Sequence, residues 1–228
     1  SEAPTEFVAT SCQHENHFLS FRNSVWGVSV DQPIERLVCI QSNLPYQLVI
    51  GTLNSARWNT VERFQEYGFV GTDRLESMLR RMARRTRAAK LLAMHHHLLP
   101  VAAREVPADG HARPVSVTLD AGHILEEAAA YGIQMVLHGH QHLPAVLKSA
   151  RVRARSAALE PVGSLTQDVY VLAGGTAGSK ELPPGVPNAY GILRFSTKGA
   201  KYQVVALDPV AAGQGRVLLE AEIPLVVA

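Results

Sequence analysis

Short apolar runs alternate with helical patterns in the middle of this chain, and this alternation restricts the fold more than any other feature. Residues 90–94 (KLLAM) and 133–139 (IQMVLHG) are apolar runs of strand length. Between them, the segment that starts at Leu119 has helical spacing, and Gly132 is placed to end the helix. Helices set between short buried strands predict an α/β sandwich.

The segments upstream extend this pattern. Residues 36–43 (RLVCIQSN) and 47–56 (QLVIGTLNSA) are rich in β-branched side chains and lie close together, which predicts two strands in a hairpin. The period changes at Thr72, where apolar residues recur at the i, i+3, i+4 and i+7 spacing of an amphipathic helix. These apolar residues are Leu75, Met78, Leu79 and Met82. Arginines fill the other faces of this helix, as is typical of a solvated surface.

Four further apolar runs lie in the C-terminal part, at residues 168–175, 189–197, 201–209 and 216–227. Gly and Pro turns separate them, so they predict strands that form the second sheet of the sandwich and its edge. We therefore expect a single domain over residues 1–228. Its fold class is an α/β (α+β) sandwich with two mixed β-sheets flanked by helices.

Composition and charge exclude some classes of function. The chain has 22 Lys and Arg against 20 Asp and Glu, and this net charge of +2 predicts neither a nucleic-acid coat nor a membrane-binding surface. No segment has the roughly 18 consecutive apolar residues of a transmembrane helix or the pattern of a secretory signal. We expect a cytoplasmic protein without a membrane partner. Cys12 and Cys39 predict no disulfide framework and are expected to be buried.

Histidines follow both central strands. His95, His96 and His97 come directly after the first run, and the motif GHQH, with His140 and His142, ends the second. Sites gather at strand ends in α/β folds, and imidazoles held by such loops suit a divalent metal ion. His140 and His142 can bind one ion together or two adjacent ions separately, with His95 joining from the neighbouring strand. The alternative is that these histidines stabilise loops or face solvent.

Two of these segments carry a resemblance to a known family. The sequence LLAMHHHLLPV, followed by a helix and then QMVLHGHQH, resembles the C-terminal half of the calcineurin-like metallophosphoesterases, in particular their bacterial cyclic-nucleotide phosphodiesterase-like branch. The segments IGTLNSAR and VYVLAGGTAGS are also similar to that group. The resemblance covers residues 49–196. It implies a metallophosphoesterase-like sandwich and hydrolysis of a small phosphate ester, with a cyclic nucleotide as one candidate.

The resemblance also implies roles for individual histidines. It places His95 and His140 on one metal ion and His142 on a second, with Mn, Fe or Zn as the candidate metals. It places His96 beside the site without making it a ligand. His138 is a candidate to orient the ligands from outside the coordination sphere.

The chain departs from the family pattern in the part that would supply carboxylates. It contains neither the Gly-Asp nor the Gly-Asn of that pattern, and its one Asp-x-His, at Asp109 to His111, is expected to be a turn. His14 and His17, in the segment CQHENHF, are candidates for the histidine of the family's Asn-His motif. We therefore expect the first strands and the bridging carboxylate on a missing N-terminal segment of the same or another chain. Gly139 is expected to let the backbone approach the site closely.

Two alternatives to a dinuclear enzyme stay open. The first is a non-catalytic interaction module on the same scaffold. The second is a single-metal protein that uses His95, His140 and His142 together with water. The number of ions bound per assembly, which would be two, none or one, distinguishes the three hypotheses. The sequence does not specify the substrate, the metal or the oligomeric state.

Overall fold

A computed structural model describes residues 35–57, 67–100, 117–151, 167–179, 182, 185–207 and 215–227. The elements in chain order are β1 (Leu37–Ile40), β2 (Gln47–Thr52), α1 (Thr72–Ala83), β3 (Ala88–Ala93), α2 (Ala121–Ala130), β4 (Met135–His138), β5 (Pro144–Arg151), β6 (Gln167–Gly174), β7 (Ala189–Ser196), β8 (Gly199–Ala206) and β9 (Val217–Ile223). Asp109 to His111, together with His14, His17 and Cys12, lies outside the described residues.

The strands form two sheets. The larger sheet has the order β1-β2-β3-β4-β6-β5, in which the four central strands are parallel and the two edge strands pair antiparallel with their neighbours. The smaller sheet, β7-β8-β9, is antiparallel throughout. Parallel neighbours require crossover connections, and the β3–α2–β4 segment is one of them. The predicted hairpin of β1 and β2 is confirmed.

One layer packs against each face of the larger sheet. Val49, Leu92 and Val136 point from its central strands to one face, where the buried side of each helix covers them. Leu91 and Met135 point to the opposite face and pack against the smaller sheet. Because the central strands are buried on both faces, they are continuous apolar runs without a polar side. The predicted α/β sandwich is confirmed.

Both helices form where their apolar spacing predicts. The buried residues of α1 are Leu75, Met78, Leu79 and Met82, and its Arg80 and Arg81 are exposed. Helix α2 buries Ile124 and Leu125 against the sheet. Gly132 follows α2 with a φ of 75°, the left-handed conformation that favours glycine at the end of a helix.

One prediction about the strands and one about a cysteine are wrong. β6 was expected in the second sheet but is a central strand of the first, since Val169 and Val171 face the helices while Leu172 faces the smaller sheet. β5 was not predicted over its observed length. Cys39 is exposed rather than buried, because β1 is an edge strand of the sheet.

Candidate metal centre

The candidate site lies at the carboxyl ends of β3 and β4. These strands are parallel neighbours, so the segments that follow them leave the sheet side by side. Two backbone hydrogen bonds tie the segments together beyond the strands: the N–H of Met94 donates to Leu137 O over 3.0 Å, and the N–H of Gly139 donates to His95 O over 3.0 Å. The fold therefore brings the HHH and GHQH segments together, as the sequence predicts.

His95 and His140 form the closest pair of imidazoles. His95 Nε2 and His140 Nδ1 are 3.1 Å apart, and the two rings meet nearly at right angles, with an interplanar angle of 79°. Two nitrogens that bind one zinc ion at about 2.0–2.1 Å are themselves about 3.0–3.4 Å apart. The separation of His95 and His140 therefore suits adjacent ligands of a single ion.

His96 completes a group of three. One ring nitrogen from each of His95, His96 and His140 lies within 4.8 Å of the others, so this group could bind a metal ion. Among the described residues, no Asp or Glu belongs to a group of this kind. The expected carboxylate ligand is thus not supplied by the described residues, and the group offers only imidazole nitrogens as donors.

His96 is buried and held from two sides. Its Nδ1 lies 2.9 Å from Ser55 Oγ, and its Nε2 is buried without a hydrogen-bond partner among the described residues. Gly68 packs directly against it, because a Cβ at that glycine would lie 2.5 Å from His96 Cβ. Burial, followed by the neighbouring histidines His140 and His95, lowers the pKa of His96 to about 3.

His97 and His138 are two further buried histidines next to the group. The Gln141 amide donates to His97 Nε2 over 3.0 Å, and the Nδ1–H of His138 donates to Gly139 O over 3.2 Å. Burial lowers the pKa of each imidazole to about 4. The pKa of His95 is also lowered, by burial first and by His142 second. All four imidazoles are therefore neutral at neutral pH, which is the protonation state that metal binding requires.

His140 and His142 have unusual backbone conformations. Their φ angles are 67° and 59°, in the left-handed region where residues other than glycine are uncommon. Such conformations persist where the surrounding structure imposes them, and they concentrate at functional sites. His142 does not belong to the group formed by His95, His96 and His140.

The backbone of Gly139 lies against the site, because its N–H donates to His95 O over 3.0 Å. A Cβ built there would meet His95 at 3.9 Å, an ordinary van der Waals distance. The backbone approach is tighter at Gly68, which was not predicted. Ser55 was not predicted as a site residue either. Its position in IGTLNSAR, just after β2, could have indicated it, because β2 is the parallel neighbour of β3.

Comparisons with known proteins give a match among solved structures but none among protein families or curated sequences. No protein-family model matches the chain, and a search of curated proteins finds no relative. Among solved structures, a purple acid phosphatase from seeds of yellow lupin (Lupinus luteus) aligns with a TM-score of 0.45 and 13% sequence identity, covering 87% of this chain. The aligned region is 34% of the lupin chain, so this chain spans about a third of that protein. Within the described residues, no helix is long and apolar enough to cross a membrane.

Proposed function

We propose that this chain carries the histidine ligands of a metal-dependent phosphoesterase that hydrolyses a phosphodiester or phosphomonoester. The observation that carries the proposal is the pair of imidazoles, His95 and His140, with nitrogens 3.1 Å apart at the ends of adjacent parallel strands. The HHH and GHQH motifs, which resemble those of the metallophosphoesterases, support the choice of phosphate ester as substrate. A cyclic nucleotide is one candidate.

The proposed cofactors are two divalent ions, Mn, Fe or Zn. His95 and His140 would bind one ion, and His142 would bind the second. When bound, the ions would neutralise charge on the phosphoryl oxygens and lower the pKa of the attacking water. Because the described residues supply no carboxylate to the group, we propose that an N-terminal segment of the same or another chain provides the bridging ligand. We propose the cytoplasm as its compartment.

The chain's own residues would fix and shield this centre. The two backbone hydrogen bonds between the HHH and GHQH segments hold His95 and His140 in register. Burial of His96, His97 and His138 keeps water away from the inner side of the site and keeps these imidazoles neutral. The exposed side of His95 leaves the outer side open to substrate.

Hydrolysis of 4-nitrophenyl phosphate and bis(4-nitrophenyl) phosphate in the presence of Mn²⁺ or Zn²⁺ tests this function. We expect His140→Ala and His142→Ala each to reduce the rate below about a tenth of that of the complete protein, in which the segment with the bridging ligand is present, with little loss of stability. His123→Ala is the matched control, since His123 lies in α2 outside the group, and it should keep the full rate. Activity retained in both site variants would contradict the assignment.

A protein that binds a single metal ion is the second candidate. The close pair of His95 and His140, in a group without a carboxylate among the described residues, favours it over a two-ion centre in the isolated chain. His142 and water would complete the ligands of the single ion. In that case one ion would bind per chain, and both nitrophenyl esters would remain intact. A non-catalytic interaction module would bind no ion.

A further inference from the structure

The hydroxyl of Ser55 contacts the HHH segment three times. Ser55 Oγ accepts hydrogen bonds from the backbone N–H of His95 over 3.2 Å and of His96 over 3.1 Å. It also lies 2.9 Å from Nδ1 of the His96 ring. Ser55 is buried, with 1% of its surface exposed, so solvent does not compete for these hydrogen bonds.

The number of bonds determines their direction. A serine hydroxyl has one proton to donate and two lone pairs to accept with. The two backbone N–H groups occupy both lone pairs of Ser55 Oγ, so only its proton remains for the third contact. The Ser55 hydroxyl therefore donates to His96 Nδ1, and the single proton of the neutral His96 ring is on Nε2.

The position of this proton bears on metal binding. A ring nitrogen that carries a proton has no lone pair for an ion. His96 Nε2 is buried and has no acceptor among the described residues, although its ring centre is 4.5 Å from that of His140 and 4.8 Å from that of His95. A buried donor without an acceptor is unfavourable, so a ligand that brings an oxygen to it gains affinity.

We propose that Ser55 is a positioning residue that makes His96 a hydrogen-bond donor to an anionic oxygen of a phosphate-like ligand, rather than a third metal ligand. This inference rests on the proposed function for its ligand class. The assignment of the proton depends only on the Ser55 contacts, so it can be tested whether or not the chain hydrolyses esters.

Nitrogen NMR on the unchanged chain, with ¹⁵N-labelled histidine, reads the proton position directly. We expect the His96 resonances of the Nε2–H tautomer in the metal-free protein and the same tautomer after addition of Zn²⁺. The spectrum of His96→Gln assigns the signals. A proton on Nδ1 in the metal-free chain, or loss of the Nε2 proton when Zn²⁺ binds, would overturn the proposal.

Zn²⁺ affinity, measured by competition with a chromophoric chelator, shows whether His96 binds the ion or only donates a hydrogen bond. We expect His96→Gln and His96→Leu to keep the affinity within about threefold, whereas His95→Gln lowers it by about a hundredfold or more, because it removes a ligand. Equal losses for the His95 and His96 variants would overturn the proposal. If the unchanged chain takes up no Zn²⁺, the proposed function fails, and the NMR spectrum of the metal-free protein still decides the role of Ser55.

Binding of inorganic phosphate to the Zn²⁺-loaded chain tests the donor role. Gln at position 96 keeps an N–H near the place of the imidazole Nε2, and Leu does not. We expect His96→Leu to weaken phosphate binding by about fivefold or more and His96→Gln to weaken it less. Ser55→Thr, which keeps the hydroxyl, should preserve the Nε2–H tautomer, and Ser55→Ala should mix the two tautomers. Identical phosphate affinity for the Gln and Leu variants would contradict the donor role.

Discussion

At the scale of single residues, the candidate site combines strained backbone with tight packing. His140 and His142 adopt left-handed φ angles, and Gly68 leaves no room for a side chain beside His96. Neither feature follows from the spacing of the motif. The sequence predicted that His95 and His140 would meet, because they follow neighbouring strands. The position of Ser55 just after β2 indicates a place near the site. Its contact with His96, like that of Gly68, could not be predicted, since both contacts depend on how β2 and the segment before α1 pack in three dimensions.

The backbone at His142 predicts an order of stabilities. Asn tolerates a left-handed φ, whereas a β-branched side chain does not. We expect His142→Val to have a free energy of unfolding about 1–2 kcal/mol lower than His142→Asn, measured by urea denaturation of the metal-free chain. The matched pair is Ser77→Val and Ser77→Asn, at an exposed position in α1, where the two residues have similar helix propensity. If the Val and Asn variants differ in their free energy of unfolding by the same small amount at both positions, the backbone at His142 is not strained.

The close contact at Gly68 predicts a second effect. A methyl group there would displace the His96 side chain or Thr118, whose Oγ1 would lie 2.6 Å from the new Cβ. We expect Gly68→Ala to lower the free energy of unfolding by about 1–3 kcal/mol and to shift the His96 ring resonances. Gly139→Ala is the control, since its Cβ finds ordinary contact distances. Unchanged His96 resonances in Gly68→Ala would show that the packing is looser than described.

At the scale of elements, the sequence predicted those with a clear period or a long apolar run. α1 follows from four apolar residues at helical spacing, and β3 and β4 follow from buried runs. The partner of β6 could not be predicted, because an apolar run of strand length fits a central position in either sheet. β5 was missed because one of its faces mixes apolar and charged side chains, at Val146, Lys148 and Ala150, so its apolar alternation is weak. Pairing with β6 fixes it as a strand.

The contact between β6 and β7 predicts that two glycine substitutions differ in their effect on stability. Gly174, at the end of β6, packs against the backbone of Gly191 in β7, and a Cβ at Gly174 would lie 2.7 Å from Gly191 N. Backbone cannot move aside as a flexible side chain can. We expect Gly174→Ala to lower the free energy of unfolding by about 1–3 kcal/mol. Gly178→Ala meets no atom within 4 Å and should change it by less than about 0.5 kcal/mol. An equal change in the free energy of unfolding for the two variants, measured by chemical denaturation, would contradict this contact between the sheets.

At the scale of the whole molecule, buried neutral histidines make the stability of the metal-free chain depend on pH. The pKa of His96 is lowered to about 3 and those of His97 and His138 to about 4, from an ordinary value of 6.5. Above that value both the folded and unfolded chains are neutral at these positions. Below it, the unfolded chain binds protons that the folded chain does not, so stability falls as the pH decreases towards about 4.

Urea denaturation with a chelator present, at about pH 7.5 and about pH 5.5, measures this dependence. Each of the three histidines contributes up to about 1.4 kcal/mol per pH unit below its unfolded pKa. We expect a lower free energy of unfolding at the acidic pH and a weaker pH dependence in His97→Leu. A chain that is equally stable or more stable at the acidic pH would contradict neutral burial of these imidazoles.

A native mass spectrum of the chain after incubation with Zn²⁺, recorded beside that of His140→Ala, tests the metal centre most directly. We predict at least one Zn²⁺ per unchanged chain and one fewer in the variant, and two ions together with an additional N-terminal polypeptide would support the dinuclear phosphoesterase. An unchanged chain without zinc, or the same zinc content in both proteins, would contradict a metal site at His95 and His140.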